Sequence, residues 1–148
     1  MTKVGIIGTT GFTGEELLKI LQHHPEVRIE FVTSERQAGT PLAEVFPGLT
    51  RFHTMPLITG EQALQEKVDM VFLCLPAGDS CLYAREFYNA GVAVIDLGAD
   101  FRFDRESDYE RWYHMQHQTP ELLESAVYGL PEWNREAISE SDIVGNPG

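Results

Sequence analysis

Cationic residues are scarce in this chain: 11 Lys and Arg stand against 23 Asp and Glu, a formal net charge of −12 over 148 residues. That balance opposes nonspecific binding to nucleic acid or to an anionic membrane, so neither partner is expected. Any anionic ligand must be held by local groups. Cysteine is scarcer still, and Cys74 and Cys81 provide no disulfide framework. Cys74 lies in the apolar run Met70–Leu75 and Cys81 on the helix expected after it, so both read as buried small hydrophobes and not as nucleophiles. No apolar run approaches the ~18 residues a membrane span requires. The chain enters an apolar strand with no signal-peptide pattern, which implies a cytoplasmic protein, or an organellar one without its transit segment. His114-x-x-His117 is half of a metal site without a third or fourth ligand nearby, so no metal is expected. Internal repeats and low-complexity linkers are absent as well.

What remains is ordinary globular composition, 43% hydrophobic and 23% charged, at about the length of one domain with a real core. The organising stretch is Lys3-Val4-Gly5-Ile6-Ile7-Gly8-Thr9-Thr10-Gly11-Phe12-Thr13-Gly14. An apolar run too short for a helix meets three glycines spaced three apart, and a helical pattern follows. Strand, glycine turn and helix together form a pyrophosphate cradle, because peptide N–H groups and the positive end of a helix approach a phosphate where no Cβ intervenes. Thr9, Thr10 and Thr13 offer hydroxyl donors. Thr13-x-x-Glu16 reads as a capping box, and Leu17, Leu18, Ile20 and Leu21 supply the apolar face of the helix. The spacing Gly8-x-x-Gly11-x-x-Gly14 differs from the commonest dinucleotide fingerprint, and a ligand-free glycine turn is the bland alternative.

Along the chain, the first helix should stop near His23-His24-Pro25 and Val27–Thr33 should form a second strand. Its end matters, since the residue about 20 positions past the glycines meets the adenosine ribose. There the chain reads Ser34-Glu35-Arg36: the carboxylate favours NAD, while serine and arginine favour the 2′-phosphate of NADP. The proline-rich connection from Gly39 to Met55 predicts a short helix at Pro41–Val45 and a short strand near Arg51–Thr54. A short helix over Gly60–Lys67 precedes a buried strand over Asp69–Leu75. Leu75-Pro76-Ala77-Gly78-Asp79-Ser80 turns into a helix with apolar Leu82, Ala84, Phe87 and Tyr88, closed by Asn89-Ala90-Gly91, and Val92–Leu97 is the next strand. This alternation predicts an α/β fold with a doubly wound, Rossmann-type parallel sheet. Beyond it come the charged aromatic segment Tyr109–Tyr113, a short helix over Pro120–Ser125, a turn at Val127–Glu132 leading into a helix over Trp133–Ser139, and a strand over Asp142–Gly145.

The opening Val4–Leu17, Gly39-x-Pro41-Leu42 with Glu44-Val45-Phe46-Pro47, Val71–Gly78, Asp100-Phe101-Arg102, Tyr128-Gly129-Leu130-Pro131-Glu132 and Asn146-Pro147-Gly148 resemble, in order and end to end, the N-acetyl-gamma-glutamyl-phosphate reductase family. That family shares its design with aspartate-semialdehyde dehydrogenase. The resemblance implies NADPH-dependent reduction of a small acyl phosphate to an aldehyde in arginine biosynthesis, through a thioester on cysteine. It implies that Gly8, Thr10, Gly11, Phe12, Thr13 and Gly14 hold the pyrophosphate, Ser34 and Arg36 the 2′-phosphate, and Pro76, Ala77 and Gly78 the nicotinamide side. Asn146, Pro147 and Gly148 would form the turn presenting the nucleophile. In the family that cysteine follows Asn-Pro-Gly directly, so no catalytic residue is expected within residues 1–148. The chain is expected to be one NAD(P)-binding Rossmann domain, truncated before the substrate domain and inactive alone, from a protein that is a homo-oligomer at full length. Arg102 is assigned either to the leaving phosphate and its loop or to a structural pair with Asp100 or Asp104, and Tyr128 and Glu132 to the active-site wall.

Three rival readings compete with this one. A short-chain dehydrogenase or epimerase needs tyrosine four residues before lysine, yet the lysines are only at 3, 19 and 67, and positions 15 and 63 are Glu15 and Ala63. An NADP-binding sensor module would not need the segments from Asp100 to Glu132. Aspartate-semialdehyde dehydrogenase, or a lysine-pathway relative acting on another acyl phosphate, stays open on this stretch. Phe101, Trp112, Tyr113 and Trp133 are expected to leave some aromatic surface exposed.

Overall fold

The apolar N-terminal run forms strand β1 (Thr2–Ile7), and the glycine turn after it opens helix α1 (Phe12–Leu21). A computed structural model describes residues 1–52 and 54–148, and the chain divides into two units, Met1–Cys74 and Leu75–Gly148. In the first unit the β-branched run after Pro25 is β2 (Val27–Thr33), followed by α2 (Leu42–Val45), β3 (Leu57–Ile58), α3 (Gly60–Ala63) and β4 (Met70–Leu73). The strands are parallel in the order β3-β2-β1-β4. The chain therefore proceeds from β1 to one side and then returns to the other, the reversal at which parallel α/β sheets bind ligands beyond their strand ends. Val4, Ile6, Leu18, Leu21, Ile29, Val32, Leu42, Leu49 and Leu57 form the buried core of this unit.

The second unit carries α4 (Ser80–Asn89), β5 (Ala93–Asp96), α5 (Glu106–Tyr113), β6 (Ala126–Tyr128), α6 (Pro131–Glu140) and β7 (Ile143–Gly145). Strand β7 lies between β5 and β6 and is parallel to both. Phe101, Tyr109, Leu122, Leu123 and Ile143 are buried in it.

The differences from expectation are local and have physical causes. The Thr13-x-x-Glu16 capping box does not form: Gly11 is the N-cap of α1 without a side-chain cap, and Glu16 pairs with Lys19 at 2.7 Å instead. A capping box is present one element later, where Thr59 and Gln62 bond reciprocally at the start of α3. Ile20 and Leu82 face solvent, at 66% and 49% exposure, so the buried sides of their helices are Gly14, Leu18 and Leu21 in α1 and Cys81, Ala84 and Phe87 in α4. Thr50–Phe52 is a 3-10 turn where a strand was expected, and the remainder of that expected strand includes residue 53, outside the described residues. Strand β6 occupies the start of the expected turn at Val127–Glu132, and α6 begins at Pro131, whose fixed φ suits the first helical turn.

Candidate functional site

In the first unit the turn after β1 is built from backbone and threonine. Gly8 adopts the left-handed φ of 80°, which admits glycine without strain. Its N–H donates to Thr33 Oγ1 at 2.9 Å, tying the turn to the end of β2. Thr9 is fully buried; its hydroxyl donates to Ile6 O at 3.2 Å and accepts from Thr33 N–H at 3.1 Å. That threonine is therefore internal bracing, not the ligand donor expected from its type. Gly14 is a close-approach position, since a Cβ there would sit 2.5 Å from the Thr9 carbonyl oxygen. Only glycine lets α1 come so near the turn, which keeps the N-terminal amides of a ten-residue helix close to any phosphate bound there. Thr10, Gly11, Phe12 and Thr13 are exposed on that turn, Phe12 at 92%.

The end of β2 converges on the same turn. Ser34 is buried, and its hydroxyl lies 3.2 Å from that of Thr10. Arg36 is exposed and forms no ion pair among the described residues. Glu35, the residue between them, accepts from Gly60 N–H at 2.7 Å, so its carboxylate is engaged at the start of α3. These residues offer the first-turn amides of α1, paired hydroxyls and an unpaired guanidinium, a donor set suited to a phosphorylated dinucleotide.

In the second unit Pro76 is exposed, while Ala77 and Gly78 are half-buried on the turn before α4. This turn rests on a polar cluster that composition alone does not announce. Asp96 and Asp100 are both fully buried. Asp96 accepts from Ser80 Oγ at 2.7 Å, Gly98 N–H at 3.0 Å and Asp100 N–H at 3.1 Å. Burial pushes the Asp96 carboxyl above the usual carboxylate range, against the opposing pull of the Ser80 and Gly98 donors. Asp100 accepts from Gly78 N–H, Ser80 N–H and the Tyr109 hydroxyl at 2.7, 3.0 and 2.8 Å. The Cys81 thiol donates to it at 3.4 Å, so Cys81 is a polar partner as well as a buried one. Burial first, and then the Asp100 charge, push that thiol up to about 11, a value unsuited to a nucleophile. Burial and Asp100 likewise raise the Tyr109 phenol. His117 is buried beside them, 2.8 Å from Asp100 O, and His114 ends α5 in a left-handed conformation, so the two histidines serve separate structural tasks. A carboxylate at the end of the apolar run Ala93–Asp96 was the available sequence signal for this cluster.

Arg102 makes neither expected ion pair. Its Nε donates to Asn146 O at 2.9 Å, and weaker contacts reach Tyr113 Oη at 3.4 Å and Leu97 O at 3.5 Å. The Asn146–Gly148 turn is further held by Asn146 N–H on Asp96 O at 2.8 Å and by Asn146 Nδ2 on Pro147 O at 3.0 Å. Gly145 packs so closely that a Cβ would collide with the Phe101 carbonyl. Arg102 and the Asn146–Gly148 turn are thus brought together. Tyr128 and Glu132 are exposed, and the Tyr128 carbonyl accepts from Asn134 Nδ2 at 2.9 Å.

The family model for the semialdehyde dehydrogenase NAD binding domain matches residues 3–141. The chain belongs to this family. Relatives of this NAD-binding domain named N-acetyl-gamma-glutamyl-phosphate reductase include those of Thiobacillus denitrificans, 45% identical over 148 residues, and Herminiimonas arsenicoxydans, 47% identical over 148 residues. Each alignment covers 100% of this chain and 43% of the relative, so the chain spans less than half the length of the curated relatives it matches. Among solved structures, aspartate semialdehyde dehydrogenase II of Vibrio cholerae has a TM-score of 0.66 at 24% identity, covering 100% of this chain and 42% of that one. The Candida albicans aspartate semialdehyde dehydrogenase with NADP has a TM-score of 0.60 at 23% identity, covering 72% of this chain and 32% of that one. These likenesses establish a Rossmann-like α/β fold for the semialdehyde dehydrogenase domain.

Proposed function

We propose that this chain is the cofactor-binding part of an NADPH-dependent reductase that converts N-acetyl-glutamyl phosphate to N-acetyl-glutamate semialdehyde in arginine biosynthesis. The names of relatives 45–47% identical over the whole chain support that substrate over the aspartate-derived one. In the whole protein a cysteine directly after Gly148 attacks the acyl carbon, its S–C bond forming as the C–O bond to phosphate breaks. NADPH held by this domain would supply the hydride for reduction of that thioester to the aldehyde, which would release the cysteine as thiolate. On this reading residues 1–148 are the NAD(P)-binding domain and do not include the cysteine nucleophile, so no turnover of substrate is expected from them alone. A cytoplasmic homo-oligomer is the further expectation for the whole protein. Among the described residues no helix is long and apolar enough to cross a membrane.

For the cofactor, the carrying observation is the Glu35 bond to Gly60 N–H. It engages Oε1 of the carboxylate that would select a 2′-hydroxyl, which favours Ser34 and Arg36 as the groups that meet a 2′-phosphate. Gly8, Thr10, Gly11, Phe12, Thr13 and Gly14 then hold the pyrophosphate, and Pro76, Ala77 and Gly78 the nicotinamide side. Arg102 orders the Asn146–Gly148 turn and meets the leaving phosphate. The testing experiment is Arg36→Ala, which should weaken NADPH binding at least about ten-fold while leaving NADH nearly unchanged. Equal loss for both cofactors would contradict the assignment of Arg36 to the 2′-phosphate.

A further inference from the structure

The Asp100 carboxylate stands where a helix cap is missing. Asp79 occupies the N-cap position of α4 but makes no side-chain cap hydrogen bond. Asp100, twenty residues past Ser80, instead takes the Ser80 N–H at 3.0 Å together with the Gly78 N–H at 2.7 Å. With the Tyr109 hydroxyl at 2.8 Å and the Cys81 thiol at 3.4 Å, four donors meet the two oxygens. An ionised carboxylate accepts only, and four donors match its lone pairs; a carboxamide would turn an N–H₂ toward two of them.

The carboxylate is itself fixed. Asp100 N–H donates to Asp96 Oδ2 at 3.1 Å, and its carbonyl lies 2.8 Å from His117 Nε2. His117 Nδ1 accepts from Thr119 N–H at 3.2 Å, so Nε2 carries the proton and donates. The His117 ring stands edge-on to both Phe101 and Tyr109.

We propose that Asp100 is a positioning residue for the nicotinamide end of the cofactor, setting the orientation of the Ala77–Gly78 peptide through its grip on the Gly78 and Ser80 amides. This rests on the reading of Pro76–Gly78 as the nicotinamide side. Because a trans peptide points its N–H and C=O in opposite directions, holding the Gly78 N–H against Asp100 aims the Ala77 carbonyl away from the buried cluster. A carboxamide donor is the ligand group that such a carbonyl accepts. Gly78 has the left-handed φ of 92° that this turn demands.

The test compares two probes on the 148-residue chain: NADPH, and adenosine 2′,5′-bisphosphate, which lacks the nicotinamide. Asp100→Asn should weaken NADPH about ten-fold while leaving the bisphosphate within about two-fold, and should speed amide exchange at Gly78 and Ser80. Equal weakening of both probes would show a merely structural role and overturn the proposal. If Asp100→Asn does not fold, Tyr109→Phe decides the matter: it removes one donor and should shift the NADPH-to-bisphosphate affinity ratio in the same direction by a smaller factor, and an unchanged ratio overturns the proposal. Wild-type protein that binds the bisphosphate as tightly as NADPH would overturn the Pro76–Gly78 reading itself. Binding of neither probe would overturn the cofactor reading on which both depend.

Discussion

Cys81 shows how one buried side chain links the cluster to stability. Its thiol is pushed up from 9.0 to about 11, chiefly by burial. Between those values the unfolded chain gives up a proton that the folded chain keeps, so stability falls as pH rises through that window. The full effect is roughly 2–3 kcal/mol. Cys81→Ser keeps a donor toward Asp100 without the titration, so urea unfolding from pH 8 to 11 should show a shallower loss for the variant; parallel curves would contradict this. Arg102→Lys keeps the charge but lacks the Nε that reaches Asn146 O at 2.9 Å. In the whole enzyme it should raise KM for the acyl phosphate several-fold and leave NADPH affinity intact. An unchanged KM would remove Arg102 from the phosphate. The type and neighbourhood of Arg102 were legible in sequence, but its partners were not, because carbonyls at 97 and 146 carry no signature in side-chain chemistry.

Among the elements, the turn from β1 into α1 is where pattern and packing agree best. Three glycines spaced three apart were readable as strand, turn and helix, yet the reason for the third one is a contact. Gly14→Ala would place Cβ 2.5 Å from Thr9 O, backbone that cannot rotate away. We expect about 1–3 kcal/mol of destabilisation by chemical unfolding together with weakened NADPH binding, and a variant with wild-type values for both would contradict the close-approach account. Long apolar segments such as Val27–Thr33 could be recognised from periodicity. The strands β3 and β6 could not, since two and three residues are too few to show alternation. The buried pair Asp96 and Asp100 escaped for another reason: acidic residues at strand ends usually belong to solvent, and burial depends on donors gathered from positions 78 to 117.

For the whole molecule, a net charge of −12 and exposed aromatics pull in opposite directions. Trp133 is 82% exposed and Trp112 64%, whereas Phe101 is buried and Tyr113 half-buried, so the expectation of exposed aromatic surface holds for the two tryptophans. Like charge opposes association at low ionic strength, and salt screens it over a Debye length of about 10 Å at 0.1 M. Sedimentation should therefore show more self-association of the 148-residue chain at high salt than at low salt. A single small species at both would remove the tryptophans as an adhesive surface. The fold class was legible because alternating strands and helices leave few topologies, while the end of β2 was ambiguous on residue type alone. Ser34, Glu35 and Arg36 contain determinants of both cofactors, and the Glu35 Oε1 bond to Gly60 N–H supports the proposed preference for NADP. The most direct measurement is calorimetric titration of this chain with NADPH and, separately, NADH at fixed low salt. NADPH should bind more tightly than NADH, by at least about ten-fold. Tighter binding of NADH would contradict the assignment of Ser34 and Arg36, and binding of neither would contradict the cofactor site in this chain.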